Sequence, residues 1–410
     1  MKLGIDIRWL HEALINVPLF AAEADDLQVP GPSGAQSGNL GGVGRYLDEL
    51  LPLLASRLHE AECLFCVLED QAIPAHMADV WPRARMVGLP ARWRPQGNAL
   101  GLLANVAAWR VRRASSRTLA PLGLDVFLSP QQLVVPGTAW ARHHAVVCHD
   151  LAFLQRPDLF FRSGTVPPSY RAHYRALARA EQLIAVSERT ATTLVEMLGV
   201  DPERITVTLE GINSAFTPDG PAFAPGWPYA MCAGSAGPGK NVPVVVEGWV
   251  RARRHGEPLR LLLAGAPRER VRELAAGCAP GDAAAIHRVA APGDAQLAAL
   301  YRGASMLLIP SLVEGFGLPA LEAMACGCPV ITAHGTPMAD MVGAAALVVA
   351  PDRPDELRDA IVRLSGDDAL RRRLIDAGRL AVAGYTWERT ADLTAATIRS
   401  LAARPGRFTQ

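Results

Sequence analysis

The sequence predicts an α/β protein of two doubly wound, Rossmann-like domains facing a central cleft. Three observations predict it. Short apolar runs of strand length alternate with helical stretches, once ahead of Phe216 and again beyond Pro228. That alternation builds a parallel sheet covered on both faces. The stretch between the two series, FTPDGPAFAPGWP, holds four prolines and three other breakers. Each series also opens on a strand, a glycine-bearing loop and a helix, the unit with which such sheets hold phosphates.

Taken in order, Leu3–Ile7 is the first buried strand. Arg8 to Leu40 is long for a strand-to-helix connection. It reads as an insertion without fixed structure or as a segment folding over a ligand. Gly41 to Gly44 opens a helix whose Val43, Leu47, Leu50, Leu51, Leu54 and Leu58 form one apolar stripe. Strands are expected at Cys63–Leu68, Arg85–Val87, Val126–Leu128, Ala145–Cys148 and Leu183–Val186. Helices are expected at Ala99–Ser115, Pro168–Ala180 and Ser187–Leu198, the last with Ser187 as N-cap. Beyond the break, strands fit Tyr229–Ala233, Leu259–Ala264, Ile286–Val289, Met306–Ile309, Val330–Thr332 and Leu347–Val349. Helices fit Val242–His255, Glu269–Ala276, Asp294–Arg302, Leu318–Cys326, Asp355–Leu364, Ala369–Ala383 and Thr386–Ala402. The domain reading is therefore 1–217, a linker at 218–228, 229–385, and a terminal helix within 386–410.

The 410 residues suffice for two or three separate cores, and Lys+Arg 41 against Asp+Glu 40 leaves a net charge of +1. No global field points to nucleic acid or to an acidic membrane. No apolar run reaches the length of a membrane span, and MKLGIDIRWL enters a strand pattern without an apolar leader. The seven cysteines lie mostly in apolar runs and read as reduced core thiols. A cytoplasmic protein is expected.

The chemistry concentrates in Pro310–Ile331, PSLVEGFGLPALEAMACGCPVI. A strand end leads to a loop bearing Glu314, and Glu322 follows eight residues later inside a helix. Gly315 and Gly317 allow close backbone approach, and the free N–H groups of the opening turn favour an anion. Two carboxylates that grip hydroxyls, beside a phosphate site, suit a nucleoside diphosphate carrying a sugar. Lys240, in GSAGPGKN after the strand at Tyr229, can neutralise phosphate charge or be a solvated surface group. His149-Asp150 ends a strand in VVCHDLAF, where a histidine is either structural or a ligand contact. The glycine loop Gly41–Gly44 can approach a diphosphate or simply make a tight turn.

The string EGFGLPALEAMACGCPVI resembles the E-x7-E signature of the retaining, nucleotide-sugar-dependent glycosyltransferases of family four, which have the GT-B fold. GGVGRY resembles that family's GGIGRY loop, HDLAF its histidine segment, and YTWE the start of a helix crossing back to the first domain. The resemblance implies catalytic roles for His149, Lys240 and Glu314. It implies donor contacts from Gly42, Ser235, Lys240, Glu314, Phe316, Gly317, Leu318 and Glu322, the last gripping the ribose. Arg45 and Asp150 would face the acceptor. Retention would follow a front-face departure in which the diphosphate helps deprotonate the acceptor.

One departure stands out. The family pairs its lysine with a nearby arginine, and here Ser235 and Gly239 occupy those places. Asp25-Asp26 and Asp367-Asp368 lie in the insertion and at a helix start rather than in a suitable loop, so neither metal nor another cofactor is expected. The leading reading is transfer of a hexose, mannose first, from GDP-mannose or a UDP-hexose to a saccharide, lipid-linked or small-molecule acceptor. Peripheral membrane contact is compatible with it; nucleic acid is not a partner. Alternatives are a degenerate sugar-nucleotide binder without turnover and a GT-B epimerase. The insertion at His11–Leu40 and the segment Val87–Trp109, with Arg92, Trp93 and Arg94, are where acceptor choice is expected to lie.

Overall fold

A computed structural model describes residues 1–8, 26–30, 41–68, 80–81, 84–90, 110, 113–132, 137, 139–234 and 236–405. The expected helix Ala99–Ser115 and the Arg92–Arg94 segment lie largely outside these residues, as does most of the insertion.

The chain divides into two compact units. The first carries β1 (Lys2–Asp6), β2 (Glu62–Leu68), β3 (Arg85–Leu89), β4 (Val126–Ser129), β5 (His143–Cys148), β6 (Gln182–Ala185) and β7 (Ile205–Val207). Every pairing is parallel, in the order β3-β2-β1-β4-β5-β6-β7. The leucine stripe of α1 (Gly41–Arg57) is buried as its spacing requires: Leu47, Leu50, Leu51 and Leu54 are inaccessible to solvent. Ser187 caps α2 (Glu188–Leu198), its hydroxyl accepting the Thr190 N–H.

The second unit carries β8 (Tyr229–Ala233), β9 (Arg260–Ala264), β10 (Ile286–Val289), β11 (Met306–Ile309), β12 (Val330–Ala333) and β13 (Leu347–Val349). They too are all parallel, ordered β10-β9-β8-β11-β12-β13, so strand order reverses between β8 and β11. A doubly wound sheet opens its ligand crevice at the carboxyl ends of the strands on either side of such a reversal. The core gathers around Trp249 of α3 (Val242–Arg254), which is fully buried and donates its indole N–H to the Leu259 carbonyl at 3.1 Å. Burial of a side chain this large contributes roughly 4–6 kcal/mol before entropy. Between the strands lie α4 (Asp294–Gly303), α5 (Leu318–Ala325) and α6 (Pro337–Val342). The terminal helix α7 (Trp387–Ala402) packs on α1 in the first unit.

Two stretches pack differently from the sequence reading. The proline-rich segment read as a linker is fastened within the second unit. Arg302 donates to the carbonyls of Thr217 and Pro221, and the Phe223 N–H bonds to the Ala299 carbonyl. The described part of the insertion, 26–30, also belongs to the second unit and not to the domain that surrounds it in sequence. The Leu27 N–H bonds to the Arg288 carbonyl on edge strand β10, and Gln296 donates to the Val29 carbonyl. Asp26 is buried between Arg268 (3.1 Å) and Arg288 (2.5 Å), themselves buried. A buried carboxylate matched by two guanidinium groups explains why this segment is held. Among the described residues no helix is long and apolar enough to cross a membrane. All seven cysteines are free thiols, six of them buried.

Candidate donor and acceptor sites

In the second unit the loops after β8 and β11 are knitted together. Gly234, at φ +116°, turns the chain out of β8, and Asn241 adopts φ +57° at the head of α3. The Asn241 amide donates to the carbonyls of both Pro310 and Pro351, and the Leu312 N–H bonds to the Gly239 carbonyl at 2.8 Å. These bonds place Lys240 against the glutamate loop. Lys240 Nζ donates to Glu314 Oε1 at 2.6 Å, and the buried Ser311 hydroxyl donates to the same oxygen at 2.8 Å. The lysine side chain is 24% exposed and the glutamate 11%, so the pair is partly shielded yet reachable from solvent. A cation and an acceptor-rich carboxylate thus sit at the reversal point.

Gly317 precedes α5 with φ +109°, a conformation costly for any other residue. A methyl group there would overlap Met338 Cγ and Sδ of α6, so packing also demands glycine. Phe316 and Leu318 are buried, Phe316 edge-on to Tyr385 at 6.0 Å. Glu322 lies on α5, 1% exposed, and accepts the Tyr301 hydroxyl at 3.3 Å. Ser235 lies outside the described residues.

In the first unit His149 follows β5. Its Nδ1 is 3.2 Å from Glu210 Oε1, its Nε2 2.9 Å from the Pro130 carbonyl, and its own N–H donates to Gln132 Oε1. The Tyr46 ring meets the imidazole edge-on at 4.9 Å and Trp387 at 5.7 Å. Burial opposes the charged imidazole, but the Glu210 carboxylate, the Pro130 carbonyl and nearby Asp150 outweigh it and raise the His149 pKa. Asp150 Oδ1 accepts the Ala152 N–H at 2.9 Å, shaping the loop beyond the histidine. Gly42 is exposed and Arg45 part-exposed on α1. Thus Lys240 and Glu314 are brought into contact, His149 and Asp150 flank one strand end, and Gly42 and Arg45 share the first turns of α1.

Sequence reasoning missed several contributors. Asn241 and Ser311 stood inside the motifs GPGKN and PSLVEG, where the asparagine's left-handed propensity and the hydroxyl's reach were available signals. Tyr301 and Glu210 lie 21 and 61 residues from their partners, and no local pattern joins them.

Both halves of the chain resemble known proteins. Residues 40–216 match the family described as Glycosyltransferase Family 4, and residues 228–367 that described as Glycosyl transferases group 1. A D-inositol 3-phosphate glycosyltransferase of Actinosynnema mirum is 31% identical over 92% of this chain and 95% of its own. Another, from Streptomyces bingchenggensis, is 33% identical over 53% of this chain; the match spans only about half of that relative, 52%. An MMP alpha-(1->4)-mannosyltransferase of Mycolicibacterium hassiacum is 29% identical over 56% of each chain. The structure of a sucrose-phosphate synthase from Thermosynechococcus elongatus superposes with a TM-score of 0.69 at 20% identity, covering 98% of this chain and 99% of that one.

Proposed function

The chain belongs to glycosyltransferase family four, with the GT-B fold, and we propose that it transfers a hexose, mannose as first choice, from a nucleoside-diphosphate sugar to an acceptor hydroxyl with retention. The observation that carries this reading is the Lys240–Glu314 pair at the reversal between β8 and β11. Without donor the two side chains satisfy each other. With donor, the lysine turns to the diphosphate and the carboxylate accepts sugar hydroxyls, an exchange that keeps every charge partnered.

In this reading Lys240 and the first-turn N–H groups of α5 meet the phosphate charge, with no arginine beside the lysine and no metal. Glu322, steadied by Tyr301, accepts the ribose hydroxyls. The glycosidic bond to the diphosphate breaks as the acceptor oxygen attacks the same face, and the acceptor proton passes to a phosphate oxygen of the leaving group. Gly42 is assigned to the donor, and Arg45 and Asp150 serve the acceptor side. The mannosyltransferase relative supports mannose, and the D-inositol 3-phosphate glycosyltransferases make a polyol phosphate the first acceptor to try.

The test is incubation of the full chain with GDP-mannose, UDP-glucose and UDP-N-acetylglucosamine, each with inositol phosphate, simple saccharide and lipid-linked acceptors. Mass spectrometry would detect product, and the one-bond carbon–proton coupling at the anomeric centre would report its configuration. An α-glycoside from an α-linked donor, lost in Lys240→Ala, supports the reading. An inverted product overturns retention, and an isomerised free sugar formed without acceptor overturns transfer.

A further inference from the structure

The surroundings of His149 bear on its protonation state. A neutral imidazole has one N–H donor and one nitrogen lone pair. Here both nitrogens face oxygen: the Pro130 carbonyl, which can only accept, and a Glu210 carboxylate oxygen. With a neutral ring and an ionised glutamate, one nitrogen lone pair would confront an oxygen lone pair at hydrogen-bonding distance. Two N–H groups satisfy both contacts, and the glutamate supplies the counter-charge. The imidazole is 11% exposed and the glutamate 6%, so little water competes.

Among the described residues, the charged or titratable groups facing the ring are Glu210 beyond β7, Asp150 in the loop after β5, and Tyr46 of α1. Two of the three carry negative charge when ionised. Burial drives the Tyr46 phenol well above its ordinary range, so that ring is neutral.

We propose that Glu210 and the Pro130 carbonyl hold His149 as a doubly protonated imidazolium, and that Glu210 is thereby a positioning residue of the transferase site. The proposal rests on the reading of His149 as part of that site. Its consequence is specific: His149 has no lone pair with which to take the acceptor's proton, and contributes a fixed positive charge instead. Tyr46 of GGVGRY packs edge-on against the ring, and Trp387 of YTWE, a separate motif in the sequence, packs in turn on Tyr46.

Nitrogen NMR of the full chain labelled at histidine tests this directly, His149 being assigned by its disappearance in His149→Gln. At pH 7.5 both ring nitrogens should resonate as protonated, each coupled to its own hydrogen. In Glu210→Gln one nitrogen should move to the unprotonated position, while Glu210→Asp, which keeps the carboxylate, should restore the doubly protonated signature. An unprotonated His149 nitrogen in the unaltered chain at pH 7.5, as a neutral pair with the proton on Glu210 would give, overturns the proposal. The same holds if Glu210→Gln leaves the signature unchanged. The spectrum requires no turnover, so a chain that transferred no sugar yet gave the imidazolium pattern would refute the transferase reading alone.

Discussion

Asp26→Asn isolates the clamp on the second unit. The carboxylate contacts Arg268 at 3.1 Å and Arg288 at 2.5 Å, and all three residues are buried. At an effective dielectric of about 20, each contact gains roughly 5–7 kcal/mol of Coulomb attraction. Desolvation of the three groups offsets most of that. Removing one partner of a buried ion cluster nevertheless costs about 3–5 kcal/mol, because uncompensated charge stays behind. For a unit of this size the transition should fall by about 6–20 °C. Scanning calorimetry would measure it, with deuterium uptake of peptides from β9 and β10 identifying which transition moved. Glu60→Ala is the control: its partner Arg399 and it are both half-exposed, and no resolvable shift is expected. A fall of less than about 2 °C for Asp26→Asn would mean that the arginines are solvated and that the clamp does not hold segment 26–30.

Three further outcomes follow from the geometry. Gly317→Ala should lose about 1–3 kcal/mol from backbone strain alone and weaken donor binding; adding Met338→Ala should recover only the packing part. Paired melting curves would show this. Tyr301→Phe removes a hydroxyl donor to a buried carboxylate, about 1.5–3 kcal/mol, so titration calorimetry should find nucleoside diphosphate affinity roughly tenfold to a hundredfold lower. The folded His149 pKa is raised, so its contribution to first-unit stability is complete below about pH 6.5, the unfolded value. That contribution is lost as pH rises through the folded pKa. Unfolding free energies of the first-unit transition from urea titrations should therefore drop over that window, by up to about 1.4 kcal/mol per pH unit, and Glu210→Gln should abolish the slope.

Periodicity and punctuation carried most of the fold. The leucines of α1 and the apolar runs of β8 to β13 were readable because each buries a face at a fixed spacing. β7 was not: Ile205–Val207 is three residues long, half-buried, and follows a polar turn, too short to set a period. The proline-rich stretch was rightly recognised as irregular, yet irregular backbone need not be a free linker once Arg302 supplies donors for its carbonyls. Segment 26–30 was illegible for a different reason. Its anchor is a charge match between Asp26 and arginines more than two hundred residues away, and nothing local encodes that pairing. At the candidate site, Lys240, Glu314 and Glu322 could be named from motifs. Their orienting partners belong to tertiary structure, and only Asn241 and Ser311 sat close enough to be seen.

Lys240, Glu314 and Glu322 together form the proposed nucleoside-diphosphate-sugar site. A thermal-shift panel of GDP-mannose, UDP-glucose, UDP-N-acetylglucosamine, GDP, UDP and dTDP, on the full chain and on Glu322→Gln, addresses it most directly. Ligands of one base should stabilise the chain, by about 2.7 kcal/mol at a hundred times the dissociation constant, and should not stabilise the variant. Stabilisation by none of them would mean that these residues form no such site.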